Sequence, residues 1–263
     1  MKTLGRQKKL KKQKVNKKIY GIAAGHLGDV WLIISGAILL SKKNGSKVYI
    51  SKYPYSFENF ETNYNHSYEE IIKECLDLLD SSGAEIEIVD EPQNQHNEFT
   101  RSFIVPESAL FCENFPVPTK LKQDLNNINK ISIQIESLFY NKNKNIYEGI
   151  RPNWADKYRN IPLDFKNDIY RKMLCLKNYK ATIVGEHEGL ANSIKILSES
   201  KIFIGMDSGM SHVASSVGIP TYLYYWELER QNVSILNSHK NKNIKTFKNM
   251  DDILDILNEH QIN

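Results

Sequence analysis

Apolar positions along this chain come in two alternating series of short buried runs and helical periods, separated by a stretch where the pattern breaks down. In the first series Lys18–Ala23 reads as a buried strand, and Gly25-His-Leu-Gly-Asp29 reads as a turn. Val30 to about Lys42 then forms an apolar helix that is ended by Asn44-Gly45. Lys47–Ser51 is a second strand. Ser67–Ser81 carries Ile71, Ile72, Cys75, Leu76, Leu78 and Leu79 at helical spacing, and Glu85–Val89 alternates as a third strand. From Asp90 to about Asn129 four prolines (Pro92, Pro106, Pro116 and Pro118) interrupt the signal, leaving Ser102–Val105 as a strand and Thr119–Ile128 as a linking helix.

The second series opens with a strand at Lys130–Ile135 and a long polar and aromatic loop, Glu136–Arg159, expected to lie over a cleft. It continues with helix Leu163–Leu176, strand Lys180–Val184 ending at Gly185, and helix Leu190–Ser198. Ile202–Ile204 and Thr221–Tyr225 are apolar runs of the kind found in parallel sheets, with a helix between them. Asp207 or Ser208 caps that helix, Gly218 stops it and Pro220 prevents its continuation. Lys245–Phe247 and Met250–His260 supply a last strand and an amphipathic helix. Strands alternating with helices argue an α/β fold with parallel sheets, and the doubling argues two halves, 19–125 and 126–263, preceded by an arm over 1–18.

Charge changes the picture only at the start of the chain. Residues 1–18 hold nine of the 35 Lys and Arg and no acid, leaving 26 basic against 31 acidic residues in the body. The arm has too few apolar residues to offset ordering entropy. It suits nucleic acid or an anionic membrane surface as a partner, and equally a solubilising tail. The longest apolar stretch, Val30–Leu40, is too short for a bilayer span. Three scattered cysteines (Cys75, Cys112, Cys175) lack metal-ligand spacing. A cytoplasmic location follows as the expectation, with a peripheral place at the inner membrane face as a second option. No metal is expected.

Chemistry concentrates after two strands. A helix that starts directly behind a parallel strand turns its free N–H groups towards the crevice above the sheet, where a diphosphate binds. Asp207, Ser208, Gly209, Met210 and His212 occupy that place. Ser208 and the amides near Gly209 and Met210 are candidate phosphate donors, His212 a donor to a leaving phosphate, and Asp207 a turn-former or an acceptor for a sugar hydroxyl. Gly185-Glu-His-Glu-Gly189 should share this rim, with Glu186 or Glu188 on ribose hydroxyls or simply in solvent. In the first turn Gly25 and Gly28 permit close approach, and His26 is a hydrogen-bond donor or a plain surface residue. Arg151 in the long loop is a further phosphate candidate.

The string Asp207-Ser-Gly-x-x-His-x-Ala-x-x-x-Gly-x-Pro220 resembles the donor motif of the heptosyltransferases, GT-B glycosyltransferases that use ADP-heptose or related sugar nucleotides. Tyr20-Gly-Ile-Ala-Ala-Gly-His-Leu-Gly-Asp-Val-Trp-Leu-Ile-Ile34 is similar to the family's first strand and Gly-Asp turn. The resemblance implies a GT-B-like fold, with two Rossmann-like halves facing a central cleft. It also implies inverting, metal-independent transfer of a sugar from a nucleotide-diphosphate co-substrate to an acceptor hydroxyl on a glycan, a protein or a modified nucleic acid. It puts the general base at Asp29, which by its residue type would equally serve as a helix N-cap. Trp226-Glu-Leu-Glu-Arg230 departs from the family's Gly-containing turn, and the family's lysine-bearing motif has no clear copy. A sugar-nucleotide epimerase or hydrolase, or a non-catalytic nucleotide-sugar or nucleic-acid-binding protein, are the alternatives on the same fold.

Overall fold

The computed structural model describes residues 17–22, 27–54, 68–92, 115–124, 128–135, 139–141, 146–148, 161–185, 189–224 and 243–262. The chain is an α/β protein with two parallel sheets. The first contains β1 (Ile19–Ile22), β2 (Val48–Pro54) and β3 (Ile86–Val89), paired in that order. Its connections are α1 (Leu27–Asn44) and α2 (Tyr68–Leu78). The second contains β4 (Lys130–Gln134), β7 (Lys180–Ile183), β8 (Ser200–Met206), β9 (Thr221–Tyr224) and β10 (Ile244–Phe247). These strands are all parallel, in the order β10-β9-β8-β4-β7. Helices α3 (Leu163–Leu174), α4 (Gly189–Ser198), α5 (Gly209–Val217) and α6 (Met250–Glu259) cover it.

Counting the second sheet's strands in chain order gives 2-1-3-4-5. The chain leaves β4 in one direction, to β7, and returns to the other side at β8. The order reverses between β4 and β8, and the crevice beyond the carboxyl ends of such a strand pair is where open α/β sheets hold their ligands.

Alternation along β8 and β9 sorts the core into two layers. Ile202, Ile204, Tyr222 and Tyr224 face α3 and α6, where they pack with Ile169, Met173, Ile253 and Leu257. Phe203 and Leu223 face the other way, into a larger cluster built with α4 and α5. That cluster does not stop at the second sheet. It runs through α5 into α1 and on to Tyr20, Val48 and Ile50 of the first sheet. Helix α1 is therefore wrapped on every side: Val30, Trp31, Leu32, Ile33, Ile34, Ala37 and Ile38 are all buried. Its apolar residues occupy more than one face, as a helix sandwiched between layers requires.

Two sequence expectations are corrected. Thr119–Ile128 is not a helix over its described part, Thr119–Asp124 and Ile128. Its backbone bonds run sideways instead: Thr119 N–H to the Ser216 carbonyl at 3.0 Å, Lys120 N–H to Leu78 at 2.9 Å, and Asp124 N–H to Ser198 at 2.8 Å. Gln123 Nε2 adds a bond to the Ser200 carbonyl at 2.9 Å. A segment that satisfies its polar groups on neighbouring elements has no use for the i to i+4 ladder. The loop Glu136–Arg159 also contains an antiparallel hairpin, β5 (Phe139–Asn141) with β6 (Ile146–Glu148). The expected strand Ser102–Val105 and residues 1–16 of the arm lie outside the described residues. Lys17 belongs to the body, its Nζ bonding Glu91 at 3.0 Å and lying over the Tyr49 ring.

Candidate functional site

Helix α5 begins where the sheet order reverses. Ser208 is its N-cap, in extended conformation (φ −147°, ψ 174°), and Ser211 closes the first turn from inside. Ser211 Oγ accepts the Ser208 N–H at 3.3 Å and donates to the Ser208 carbonyl at 2.6 Å. Gly218 ends the helix at φ 92°, with its N–H on the Ala214 and Ser215 carbonyls. Because Ser208 and not Asp207 is the cap, the choice left open by the sequence is resolved. The first N–H groups of a helix have no partner within it. Among the described residues, those of Gly209 and Met210 find no acceptor elsewhere. They are free to meet an anion with the positive end of the helix dipole behind them.

The start of α1 is pressed against the start of α5. A Cβ on Gly28 would stand 3.0 Å from His212 Cδ2 and 3.2 Å from Gly209 Cα, and one on Gly209 would stand 2.9 Å from the Gly28 nitrogen. Neither position tolerates a side chain without movement, which is a physical reason for glycine at both. Further along the two helices Trp31 Nε1 donates to Ser216 Oγ at 2.8 Å in a fully buried contact. Trp31 has no exposed surface, and its bond satisfies an indole N–H that would otherwise be buried without an acceptor. His212 is itself buried, with 6% of its surface exposed, and lies against Gly28. The two glycine-bearing turns, 181 residues apart at Gly28 and Gly209, thus become one surface.

Gln134, the last residue of β4, completes the floor. It is 9% exposed, and its Oε1 accepts the hydroxyl proton of Ser208. Its Nε2 lies beside Gly185, where an added Cβ would come within 2.7 Å of Nε2 and of Met210 Cγ. Gly185 has φ 82°, a left-handed backbone that L side chains rarely adopt. Gly185, Met210, Ser208 and Gln134 thus meet where β4, β7 and β8 end. The sequence reading missed Gln134 and the Trp31–Ser216 bond.

Asp29 is the third residue of α1, because the helix starts at Leu27 and not at Val30. It therefore stands inside the first turn and is not the N-cap, next to the Gly28 that touches His212. Its side chain lies outside what the structure describes. Asp207 precedes the α5 cap and is partly exposed. Gly25, His26, Arg151, Glu186, Glu188 and the Trp226–Arg230 stretch lie outside the described residues.

Among the described residues no three His, Cys, Asp or Glu side chains come together as a metal site, and no helix is long and apolar enough to cross a membrane. Cys75 is fully buried and Cys175 exposed. Burial pushes the Cys75 thiol far above its ordinary range.

No family model matches the chain, and neither does any curated protein. A search of solved structures finds similarity to the crystal structure of TibC, an iron-containing dodecameric glycosyltransferase from enterotoxigenic E. coli H10407. The identity is 12% and the TM-score 0.42, over 79% of this chain and 58% of the TibC chain. The chain thus spans less than two thirds of that protein's length.

Proposed function

We propose that this chain is a glycosyltransferase that moves a sugar from a nucleotide-diphosphate donor to an acceptor hydroxyl, with inversion. The observation that carries this reading is the apposition of the first turns of α1 and α5 beside the strand-order reversal. It unites the two motifs that resemble the heptosyltransferases. On this reading the donor diphosphate sits against Ser208 and the Gly209 and Met210 amides. Their neutral dipoles meet its charge as it grows on the leaving group. His212 donates to the same phosphates from one turn further along. Asp29, at the start of the opposing helix, takes the acceptor's proton as its oxygen attacks the anomeric carbon. Glu186 or Glu188 holds the ribose, and Gly25, His26 and Arg151 border the substrates. No metal enters this scheme; helix N-termini and basic side chains meet the diphosphate charge. A heptose or hexose as the transferred sugar, and a glycan, protein or modified nucleic-acid base as acceptor, fit it equally. So does a cytoplasmic enzyme whose basic arm meets nucleic acid or an anionic membrane surface.

Two steps test the reading. A panel of ADP-, UDP- and GDP-sugars is first screened for a rise in melting temperature, since a ligand at 100 times its Kd stabilises the native state by about 2.7 kcal/mol. Silence across the panel would remove the donor site. With the donor in hand, Asp29→Asn should lower turnover by ~10²–10⁴-fold while donor affinity stays near wild type. Near-normal turnover by a folded Asp29→Asn enzyme would take the base away from that residue.

A further inference from the structure

We propose that Gln134 is a specificity-determining residue of this site. Its carboxamide N–H groups join the Gly209 and Met210 amides as neutral donors to the diphosphate. The inference rests on the reading of the α5 first turn as the diphosphate site, and goes beyond it by assigning a side chain that neither motif contains.

Three observations carry it. Gln134 is 9% exposed and lies at the point where the sheet order reverses. Its oxygen is occupied by the Ser208 hydroxyl, so the orientation of the group is fixed by the residue that caps α5. Its Nε2, by contrast, makes no hydrogen bond among the described residues. A buried donor left without an acceptor is costly, and a native site tolerates it when a ligand or a water completes it. The space beside Nε2 is kept clear by Gly185, where any side chain would collide with it at 2.7 Å.

The chemistry of glutamine then sets a preference. A carboxamide is a donor at all ordinary pH, whereas a glutamate of the same shape would accept from Ser208 equally well but present a negative charge to the phosphates. Gln134 therefore separates two roles that a structural hydrogen bond alone would not: holding Ser208, and donating to an anion. Only the second depends on the charge at this atom.

The test uses the full-length protein with ADP, UDP and inorganic pyrophosphate as probes, and measures affinity by calorimetry at pH 8 and at pH 5. Gln134→Glu should fold with a melting temperature near wild type and lose about tenfold or more in affinity at pH 8. The loss should shrink at pH 5, as the new carboxyl gains its proton. Gln134→Met, which removes the donor without adding charge, should lose severalfold equally at both pH values. Wild-type affinity in Gln134→Glu at pH 8, or a loss that ignores pH, would overturn the assignment. Should Gln134→Glu fail to fold, the Nε2 proton resonances of ¹⁵N-glutamine-labelled wild type decide. They must shift on adding whichever probe binds, and an unmoved pair overturns the proposal. Failure of the wild type to bind all three probes would instead sink the diphosphate reading itself, and the role of Gln134 with it.

Discussion

The seam between α1 and α5 and the outer corner where β9, β10 and α6 meet are held by opposite means. At the seam the contacts are Gly28 on Gly209, His212 on Gly28, and one neutral bond from Trp31 to Ser216, all set among buried apolar side chains. At the corner the Tyr222 hydroxyl pairs with His260 Nε2 at 2.6 Å and Lys245 bonds Glu259 at 2.6 Å, and on the neighbouring β8 Lys201 bonds the Tyr179 hydroxyl at 2.9 Å. Shape decides the first and charge tunes the second. The seam should therefore be intolerant of added volume and indifferent to salt, and the corner sensitive to salt and pH.

The strongest way to break the seam is Trp31→Ala, which empties the largest side chain buried at the seam and strands Ser216. A loss of about 3–5 kcal/mol is expected in denaturant unfolding. Trp31→Phe, which keeps most of the volume, should lose only about 1 kcal/mol through the missing bond. Next comes Gly209→Ala. Alanine is the better helix former by up to about 1 kcal/mol. Its Cβ, however, would meet the Gly28 nitrogen at 2.9 Å and Leu27 Cβ at 3.2 Å. A Cβ pressed against backbone cannot yield cheaply, so net destabilisation of about 1–3 kcal/mol is expected. A stabilised Gly209→Ala protein would show that the helices are not in tight apposition.

The smallest effect sharpens the corner. Burial holds the His260 imidazole below its ordinary pKa, partly opposed by Glu259 and reinforced by Lys201 and Lys245. Burial likewise pushes the Tyr222 hydroxyl up to about 12, with Glu259 adding to the shift. The folded state therefore binds the His260 proton less readily than the unfolded chain. Its contribution to stability is complete above the unfolded value near 6.5 and is lost as pH falls through the lower folded one. Melting temperature should decline as pH falls from about 7 towards 5, and His260→Asn should flatten that decline. An unchanged slope in the variant would assign it to other groups.

Much of the architecture was legible because periodicity is local. The strands at Lys130–Gln134, Lys180–Ile183 and Thr221–Tyr224 and the Gly218 end of α5 follow from runs of a few residues, while the start of α5 was narrowed only to Asp207 or Ser208. The hairpin of Phe139–Asn141 with Ile146–Glu148 was not read, because the polar average of Glu136–Arg159 hid the short apolar pairs Phe139-Tyr140 and Ile146-Tyr147. What could not be read depends on distant partners. Gln134 is a single polar residue ending an apolar strand, and its meaning comes from Ser208, 74 residues later. Thr119–Asp124 has a helical composition yet bonds sideways, because α2, α4 and α5 offer its amides acceptors that no local pattern reveals.

The burial of α1 on every side has a consequence for how the protein is made. Synthesis runs from the N-terminus, so Val30–Ile38 emerge long before the residues that cover them. Trp31 and its acceptor are separated by 185 positions, and among the described helices only α6 follows α5. Until α5 is translated, one of the most apolar helices of the molecule has an open flank, the condition under which nascent chains associate wrongly or are held by chaperones. The chain is thus committed to finishing its second sheet before its first half can settle.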